Sequence, residues 1–339
     1  MVSRQAVCAI LASLLASHAF AQTTPTPKVE PKAPATVQII PVSFTNENVA
    51  ATVNGEKILV GEVRKMLEQR PYPVPPTEEQ KKSLRKAAID VLVDDVLMRQ
   101  YLGKHVPKVD QGDFNKEVQE LTDGLKKEMK TLEMYLKETN QTSEQLSKDI
   151  VARLQWRSLL TRFCPDDKAK TYYDANKIFF DKVFVRASHI LIRLDAKATK
   201  ADRDKATQQL LVWRQEILAG KVKFEDVALK YSDCVASKQA KDDQGKPTPG
   251  DVGLFPYKFM VLPEFSKAAY SMKVGEISDV VQTSAGLHLI KVTERTKGED
   301  SNFAALKDTV REVWAQDEDL YQRILNEQKK TGTIKIELP

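Results

Sequence analysis

Two strand-like segments, far apart in the sequence, each carry a histidine in the middle. They are RASHILIRL (186–194) and TSAGLHLIKV (283–292). Their aliphatic residues predict β-strands. A buried imidazole is unfavourable unless its nitrogens find partners, and a single strand histidine is usually a core residue that has found them. Because two histidines occupy matching strands, we expect His189 and His288 to meet across a sheet and to form the polar floor of a site.

The chain between these strands alternates helical and extended patterns. A helix is predicted after the first strand, with Gly220 as its C-cap, and a shorter helix follows it. Pro263 begins a third helix at its first turn. The pattern β-α-α-(β)-α-β-β over residues 183–296 predicts an α+β fold, an antiparallel sheet with flanking helices. The apolar positions of the three helices are Ala206, Leu210, Trp213, Ile217, Phe224, Val227, Ala228, Tyr231, Phe265, Ala268, Ala269 and Met272.

The segments on either side have mainly helical spacing. Residues 46–180 contain several runs of this kind, preceded by a hairpin signal at Asn54-Gly55. Residues 300–339 continue with a helical run and end in TIKIEL, an alternating strand pattern. Because a single strand is not stable alone, we expect it to return to the early hairpin. The prediction is a mostly helical domain that the C-terminal segment completes, with the α+β domain inserted in it.

The first residues have the pattern of an export signal. Arg4 supplies a positive charge, AVCAILASLLA is a short apolar core, and small residues precede a cleavage site after Ala21. Residues 22–45 predict a linker that begins rich in Pro and Thr. The apolar core is shorter than the ~20 residues that span a bilayer, and no other segment is apolar enough to do so. We expect export to the periplasm or cell envelope with no membrane span after cleavage; the alternative is a signal kept as an anchor.

Charge, cysteines and missing motifs exclude several functions. The 52 basic and 47 acidic residues are mixed along the chain and give a net charge of +5, too even for a nucleic-acid-binding surface. The cysteines show no CxxC spacing, and four histidines are too few for a multi-histidine metal site. The motifs of nucleotide binding, zinc proteolysis and serine hydrolysis are missing. We therefore predict no metal and no cofactor. A Cys164–Cys234 disulfide is possible in an oxidising compartment, although Cys234 has another use below.

Four motifs occur in order within residues 183–296: SHILI, YSDC, GDVGLF and TSAGLHLIKV. Together they resemble the parvulin-type peptidyl-prolyl cis-trans isomerase domain. The surrounding chain is similar to exported foldases and chaperones of the SurA and PrsA kind, and VATVNGEKI resembles the start of their N-terminal chaperone domain. The resemblance implies a parvulin-like antiparallel sheet with flanking helices, inserted in a mostly helical SurA-N-like chaperone domain.

The resemblance also implies roles for individual residues. His189 and His288 match the paired histidines of the family, and Thr283 matches the hydroxyl residue that hydrogen-bonds into the pair. Cys234 matches a position that carries Cys or Asp, and we expect it to tune the environment of the substrate carbonyl without attacking it. The apolar pocket for the proline ring is implied to comprise Val252, Phe255, Met260 and Phe265.

Two positions depart from the family pattern. Ala285 stands where a hydroxyl residue is often found, so either Ser284 substitutes or the role is absent. MVLPEF is one residue longer than the shortest family version, so Met260 and Val261 could exchange places. Met260 and Phe265 could also be ordinary core residues, since their helix must bury something.

The implied reaction suits these residues. Rotation of an X–Pro bond needs no nucleophile or metal, only a preference for the twisted amide, whose barrier is ~20 kcal/mol. An apolar slot with a few fixed polar groups can supply that preference. We predict an exported peptidyl-prolyl cis-trans isomerase that assists folding of secreted or outer-membrane proteins, with unfolded or proline-containing polypeptides as partners. The alternative is a holdase chaperone, or an envelope assembly factor, with an inactive isomerase module.

Overall fold

The computed structural model of the chain describes residues 46–68, 75–139, 141–195 and 197–338. The predicted signal and linker, residues 1–45, lie outside them. In chain order the elements are β1 (Val49–Val53), β2 (Glu56–Leu59), α1 (Val60–Glu68), α2 (Glu78–His105), α3 (Gln111–Lys127), α4 (Leu132–Glu138), α5 (Ser143–Phe163), α6 (Asp166–Ala175), α7 (Lys177–Phe180), β3 (Phe184–Arg193), α8 (Lys200–Leu218), α9 (Phe224–Tyr231), α10 (Val235–Lys238), β4 (Asp251–Pro256), α11 (Pro263–Ser271), β5 (Val281–Thr283), β6 (Gly286–Arg295), α12 (Phe303–Asp317), α13 (Leu320–Thr331) and β7 (Ile334–Ile336).

The chain divides into two compact units. Among the described residues, the terminal unit comprises those up to Ala169 and those from Lys307 onwards, and the middle unit comprises those of Lys170–Leu306. Both units combine helices with an antiparallel sheet, so the predicted α+β class is confirmed. No helix of the described ranges is both long and apolar enough for a membrane span.

The terminal unit has a three-stranded sheet in the order β2-β1-β7. The β1–β2 hairpin turns at Asn54 and Gly55, which have φ values of 48° and 88°, as a tight hairpin turn between twisted strands requires. β7 pairs antiparallel with β1, with Val53 opposite Ile334. The C-terminal strand therefore adds to the sheet that the N-terminal hairpin begins.

Helices α2 and α5 carry the core of the terminal unit. Each begins with a capping box, at Thr77 and Thr142, which satisfies backbone amides that a helix start leaves unpaired. Their buried faces include Leu97 of α2 and Leu160 of α5. Burial of these apolar residues stabilises the two long helices that their helical spacing predicts.

The middle unit has a four-stranded antiparallel sheet in the order β4-β3-β6-β5. One face packs against α8 and α9 through a core that contains Ile190, Leu210, Phe224 and Leu289. The opposite face packs against α11 in a second core. That core contains Val185, Ala187, Phe255, Phe265, Ala269, Tyr270, Ile290 and Val292.

The middle unit includes residues before and after the predicted range of 183–296. The Tyr173 hydroxyl donates to the Ser301 carbonyl at 2.7 Å, and the rings of Tyr173 and Phe303 are 5.5 Å apart. Asp181 accepts hydrogen bonds from Ser301, and Ile178 packs against the core beneath α11. Because these contacts are between side chains far apart in sequence, helical spacing alone could not place them in this unit.

Candidate active site

The two imidazoles meet on the α11 face of the sheet. His189 lies opposite Ile290 and His288 lies opposite Leu191 in the β3–β6 register, so the histidines are diagonal neighbours. Their ring centroids are 5.3 Å apart at 23°, and the two Nδ1 atoms are 3.1 Å apart. The residues are 6% and 3% exposed. The sheet register thus brings together two residues whose rings partner each other.

Thr283 provides the outer partner of the pair. Its Oγ1 is 2.8 Å from His288 Nε2 and accepts from the Ala285 amide at 3.1 Å. The β5–β6 turn places it there, because Thr283 pairs with Gly286, the first residue of β6. Gly286 has a φ of 139°, and a Cβ at this position would collide with the Ile192 carbonyl oxygen. Glycine is therefore required for this turn to lie against β3.

Ser237 contacts the pair from the other end. Its Oγ is 3.2 Å from His189 Nε2, and the residue is 4% exposed. It lies within the short helix α10, and its carbonyl accepts from the Gly250 amide at 2.8 Å, while the Gly250 carbonyl in turn accepts from the His189 amide at 2.8 Å. Sequence reasoning missed Ser237, because a serine at the start of a polar loop resembles any solvated residue.

Burial keeps both imidazoles neutral. It lowers the pKa of His189 from 6.5 to about 4, with a smaller contribution from the proximity of His288. Burial also lowers the pKa of His288 to about 4. A neutral imidazole has one donor and one acceptor nitrogen, and all four ring nitrogens of the pair have a partner. The pair is therefore a fixed dipolar surface, poorly suited to exchanging protons.

Phe265 supplies the apolar neighbour of both rings. Its ring lies edge-on to His189 at 5.7 Å and 80°, and to His288 at 5.6 Å and 79°. Phe255 lies behind it, with ring centroids 5.8 Å apart, and is 0% exposed. Of the four residues predicted for the proline pocket, Phe265 alone contacts the imidazoles through its ring. Phe255 and Phe265, the latter 4% exposed, both belong to the core beneath α11.

The remaining apolar residues differ in exposure. Val252 and Val261 are half-buried and pack against the core beneath α11, whereas Met260 is 62% exposed. The loop before α11 includes Phe259 with a φ of 72°, a left-handed conformation that is strained for an aromatic residue. This extra bend puts Val261 against the core and Met260 at the surface.

Cys234 joins the site through its backbone. It precedes α10, and its carbonyl accepts from Ser237 Oγ at 3.2 Å. Among the described residues, its thiol makes no hydrogen bond to either imidazole. Cys164 and Cys234 are both free thiols. Within the described ranges, no group of three or more His, Cys, Asp or Glu side chains is arranged to hold a metal ion.

Comparison with known proteins identifies the family of the middle unit. The family model of the PPIC-type peptidyl-prolyl isomerase domain matches residues 189–294. The fold and the site thus define an isomerase domain of that type. The peptidyl-prolyl cis-trans isomerase Pin1 of Malus domestica is 41% identical over 122 residues, which cover 32% of this chain and 93% of that protein.

Similarity also extends over most of the chain. The foldase protein PrsA of Caldanaerobacter subterraneus is 30% identical over 259 residues, 72% of each protein. A putative SurA isomerase of Haemophilus influenzae is 26% identical and covers 86% of this chain and 88% of its own. The crystal structure of PrsA from Bacillus anthracis aligns with 71% of this chain and 96% of that one, at 24% identity and a TM-score of 0.39. On the sequence matches, the chain belongs to the parvulin-type peptidyl-prolyl cis-trans isomerases and is homologous to the PrsA and SurA foldases.

Proposed function

We propose that the face carrying His189 and His288 binds an X–Pro segment of an unfolded polypeptide and lowers the barrier to rotation about its peptide bond. The observation that carries the proposal is the direct contact of two buried, neutral imidazoles with the Phe265 ring edge-on to both. In this proposal His189, His288 and Thr283 form the polar floor. Val252, Met260 and Phe265 contact the proline ring, and Cys234 adjusts the environment of the substrate carbonyl.

The chemistry that such a site has to perform is modest. Rotation breaks the conjugation of the amide and no covalent bond, and each tenfold acceleration requires only ~1.4 kcal/mol of preference for the twisted amide. Apolar contact with the pyrrolidine ring and fixed dipoles near the carbonyl oxygen can provide it. Neutral rings with fully engaged nitrogens suit this role, because they bring polarity to the site without a charge that must be desolvated.

An isomerisation assay on a short proline peptide tests the site. We expect His189→Ala to lower kcat/KM by at least about tenfold, since it removes half of the polar floor and leaves His288 Nδ1 unpaired. His105→Ala is the matched control, because His105 is exposed and lies in the terminal unit. If wild type and His189→Ala both react at the uncatalysed rate, the middle unit is not an enzyme.

We further propose that the protein is exported to the periplasm or cell envelope and assists folding of secreted or outer-membrane proteins there. The signal-like residues 1–21 and the linker-like residues 22–45 support this location. Expression of the full chain in a Gram-negative host, followed by fractionation and mass measurement, tests it. We expect a periplasmic product that begins at Gln22; a product that keeps Met1 and sediments with membranes would indicate an uncleaved anchor.

A holdase activity is the second candidate, and a groove in the terminal unit favours it. The groove has a volume of about 390 Å³ and lies between α2 and β7. Ile89, Ile336 and Leu338 contribute apolar surface to it, beside the polar side chains of Glu79, Lys82, Ser83 and Lys86. Within the described residues β7 is an edge strand, so its free backbone groups can pair with an extended chain. An unfolded apolar segment fits both features.

The holdase candidate has its own measurement. Ile336→Asp puts a charge in the groove, and we expect it to weaken suppression of the aggregation of an unrelated unfolded protein. The isomerisation rate on short peptides should stay at the wild-type value. Suppression equal to that of wild type would exclude this groove as the binding surface.

A further inference from the structure

Ser237 is the one polar side chain of the site that the family resemblance does not assign. It is buried, and its Oγ lies 3.2 Å from His189 Nε2 and 3.2 Å from the Cys234 carbonyl oxygen. A serine hydroxyl has a single proton, so it can donate to only one of these atoms. If it donates to the Cys234 carbonyl, its oxygen can accept from His189 Nε2–H; if it donates to His189 Nε2, the carbonyl, which cannot donate, loses this partner. The direction of this one bond has consequences for the whole pair.

The hydrogen bonds of the site form a continuous chain. It runs from Thr283 Oγ1 to His288 Nε2, from His288 Nδ1 to His189 Nδ1, and from His189 Nε2 to Ser237 Oγ. Each neutral ring donates once and accepts once, so fixing the direction at one end fixes it throughout. The protons of all these hydrogen bonds can point either towards Ser237 or towards Thr283. The two arrangements give opposite tautomers at both histidines.

The two ends of this series of hydrogen bonds, at Ser237 and at Thr283, differ in geometry. If protons point towards Ser237, its hydroxyl donates to the Cys234 carbonyl at 3.2 Å. If they point towards Thr283, that hydroxyl must donate to the Gly286 carbonyl at 3.4 Å. The bond to Cys234 is the shorter of the two, which favours the first direction.

We propose that Ser237 is a positioning residue that accepts a hydrogen bond from His189 Nε2–H and thereby fixes the tautomers of both imidazoles. His189 then carries its proton on Nε2, His288 carries its proton on Nδ1 and donates it to His189, and Thr283 donates to His288 Nε2. The inference rests on the proposed isomerase function for its catalytic meaning, since the fixed tautomers set the dipole that the twisted amide meets. It also explains why α10 carries a buried serine beside Cys234.

A serine beside two histidines also resembles the beginning of a hydrolytic triad, but the geometry opposes that role. The hydroxyl already contacts both His189 Nε2 and the Cys234 carbonyl oxygen at 3.2 Å. Its proton is directed at the Cys234 carbonyl, whereas a nucleophilic serine donates to its histidine. Burial lowers the pKa of His189 to about 4, which makes it a weak base.

Nitrogen NMR of the imidazoles in the intact wild-type protein tests the tautomers directly. Two-bond proton–nitrogen correlations identify which ring nitrogen carries the proton. We expect Nε2–H at His189 and Nδ1–H at His288. The reverse pair, or an equal mixture at either ring, would overturn the proposal, and this readout is independent of whether the protein isomerises any peptide.

Variants extend the test to function. Ser237→Ala removes the acceptor, so we expect mixed tautomers at His189 and a kcat/KM lower by about five- to tenfold, the loss of one hydrogen bond. Ser237→Thr keeps the hydroxyl and should restore the wild-type tautomer. Ser278→Ala is the matched control: Ser278 is equally buried and bonds the Ile290 amide at 2.9 Å, outside the chain of hydrogen bonds, and should change kcat/KM by about twofold or less.

The outcomes separate the possibilities. Ser237→Ala with unchanged tautomers and activity would refute the positioning role. Wild type with the expected tautomers but no isomerisation would refute the proposed function and leave the assignment of the tautomers standing. Hydrolysis of an activated ester by wild type, lost in Ser237→Ala, would replace the positioning role by a nucleophilic one.

Discussion

His189 and His288 occupy diagonal positions on one face of β3 and β6, with their Nδ1 atoms 3.1 Å apart. Directly opposite positions would have brought the side chains closer, and a shift of one residue in the register would have sent one of them to the other face. The register of the central strand pair therefore determines whether the site exists.

Removing the Thr283 hydroxyl should impair the site without unfolding the unit. Thr283→Val keeps the shape of the side chain but leaves His288 Nε2 without its 2.8 Å partner. We expect kcat/KM for a proline peptide to fall by about tenfold, since an unpaired buried polar atom is costly. Thr293→Val, on the neighbouring strand β6 and exposed, is the control and should resemble wild type. Equal rates for both variants would rule out a role for this hydroxyl.

The imidazole pair should make stability depend on acidity. The pKa of each ring is about 4 in the folded chain and 6.5 in the unfolded one, so the unfolded state binds protons more tightly between these values. The stability that comes from keeping the rings neutral is fully present above pH 6.5 and is lost as pH falls towards 4. One ring accounts for on the order of 3 kcal/mol of the free energy of unfolding.

Urea unfolding at pH 7 and pH 4.5 measures this dependence. Wild type and His105→Phe should lose more free energy of unfolding between the two conditions than His288→Phe, which lacks one titrating ring of the pair. Carboxylates elsewhere contribute equally to all three proteins and cancel in the comparison. An identical loss in all three would show that the rings titrate normally.

Gly286 should tolerate no side chain. Gly286→Ala would push a Cβ into the Ile192 carbonyl and strain a φ of 139°, so we expect a loss of about 3 kcal/mol or more in unfolding free energy. Gly275→Ala is the matched control, because Gly275 has a φ of 90° but open space around it, and should cost about 1 kcal/mol. Denaturant unfolding compares them; equal losses would mean that backbone strain alone matters here.

Two neighbouring residues of the loop before α11 should differ in their effects, one on substrate binding and the other on thermal stability. Met260 is exposed and Val261 packs against the core, so Met260→Ala should leave Tm unchanged while it raises KM. Val261→Ala should instead lower Tm, since it removes partly buried methyl groups. Thermal unfolding and peptide kinetics on both variants decide the matter. A lower Tm with unaltered KM in Met260→Ala would exclude this residue from the pocket.

The sequence predicted those features of the site that depend on local residue patterns and on short-range contacts. His189 and His288 could be found because each interrupts an aliphatic strand, and Thr283 because it matches the hydroxyl residue of the family motif that TSAGLHLIKV resembles. Ser237 could not be found, since its burial depends on the Gly250 backbone, which lies on the far side of a polar loop. The orientation of Met260 was left open because it depends on the left-handed Phe259, a conformation that no propensity favours at an aromatic residue.

The pairing of β7 with β1 joins the two ends of the terminal unit, and Val53 meets Ile334 only when nearly the whole polypeptide is available. The chain emerges amino end first, from the ribosome or through an export channel, so the whole middle unit is available while the terminal unit still lacks β7. The isomerase module can thus fold before the terminal sheet is complete. The topology of the chain makes the pairing of β7 with β1 the later of the two events.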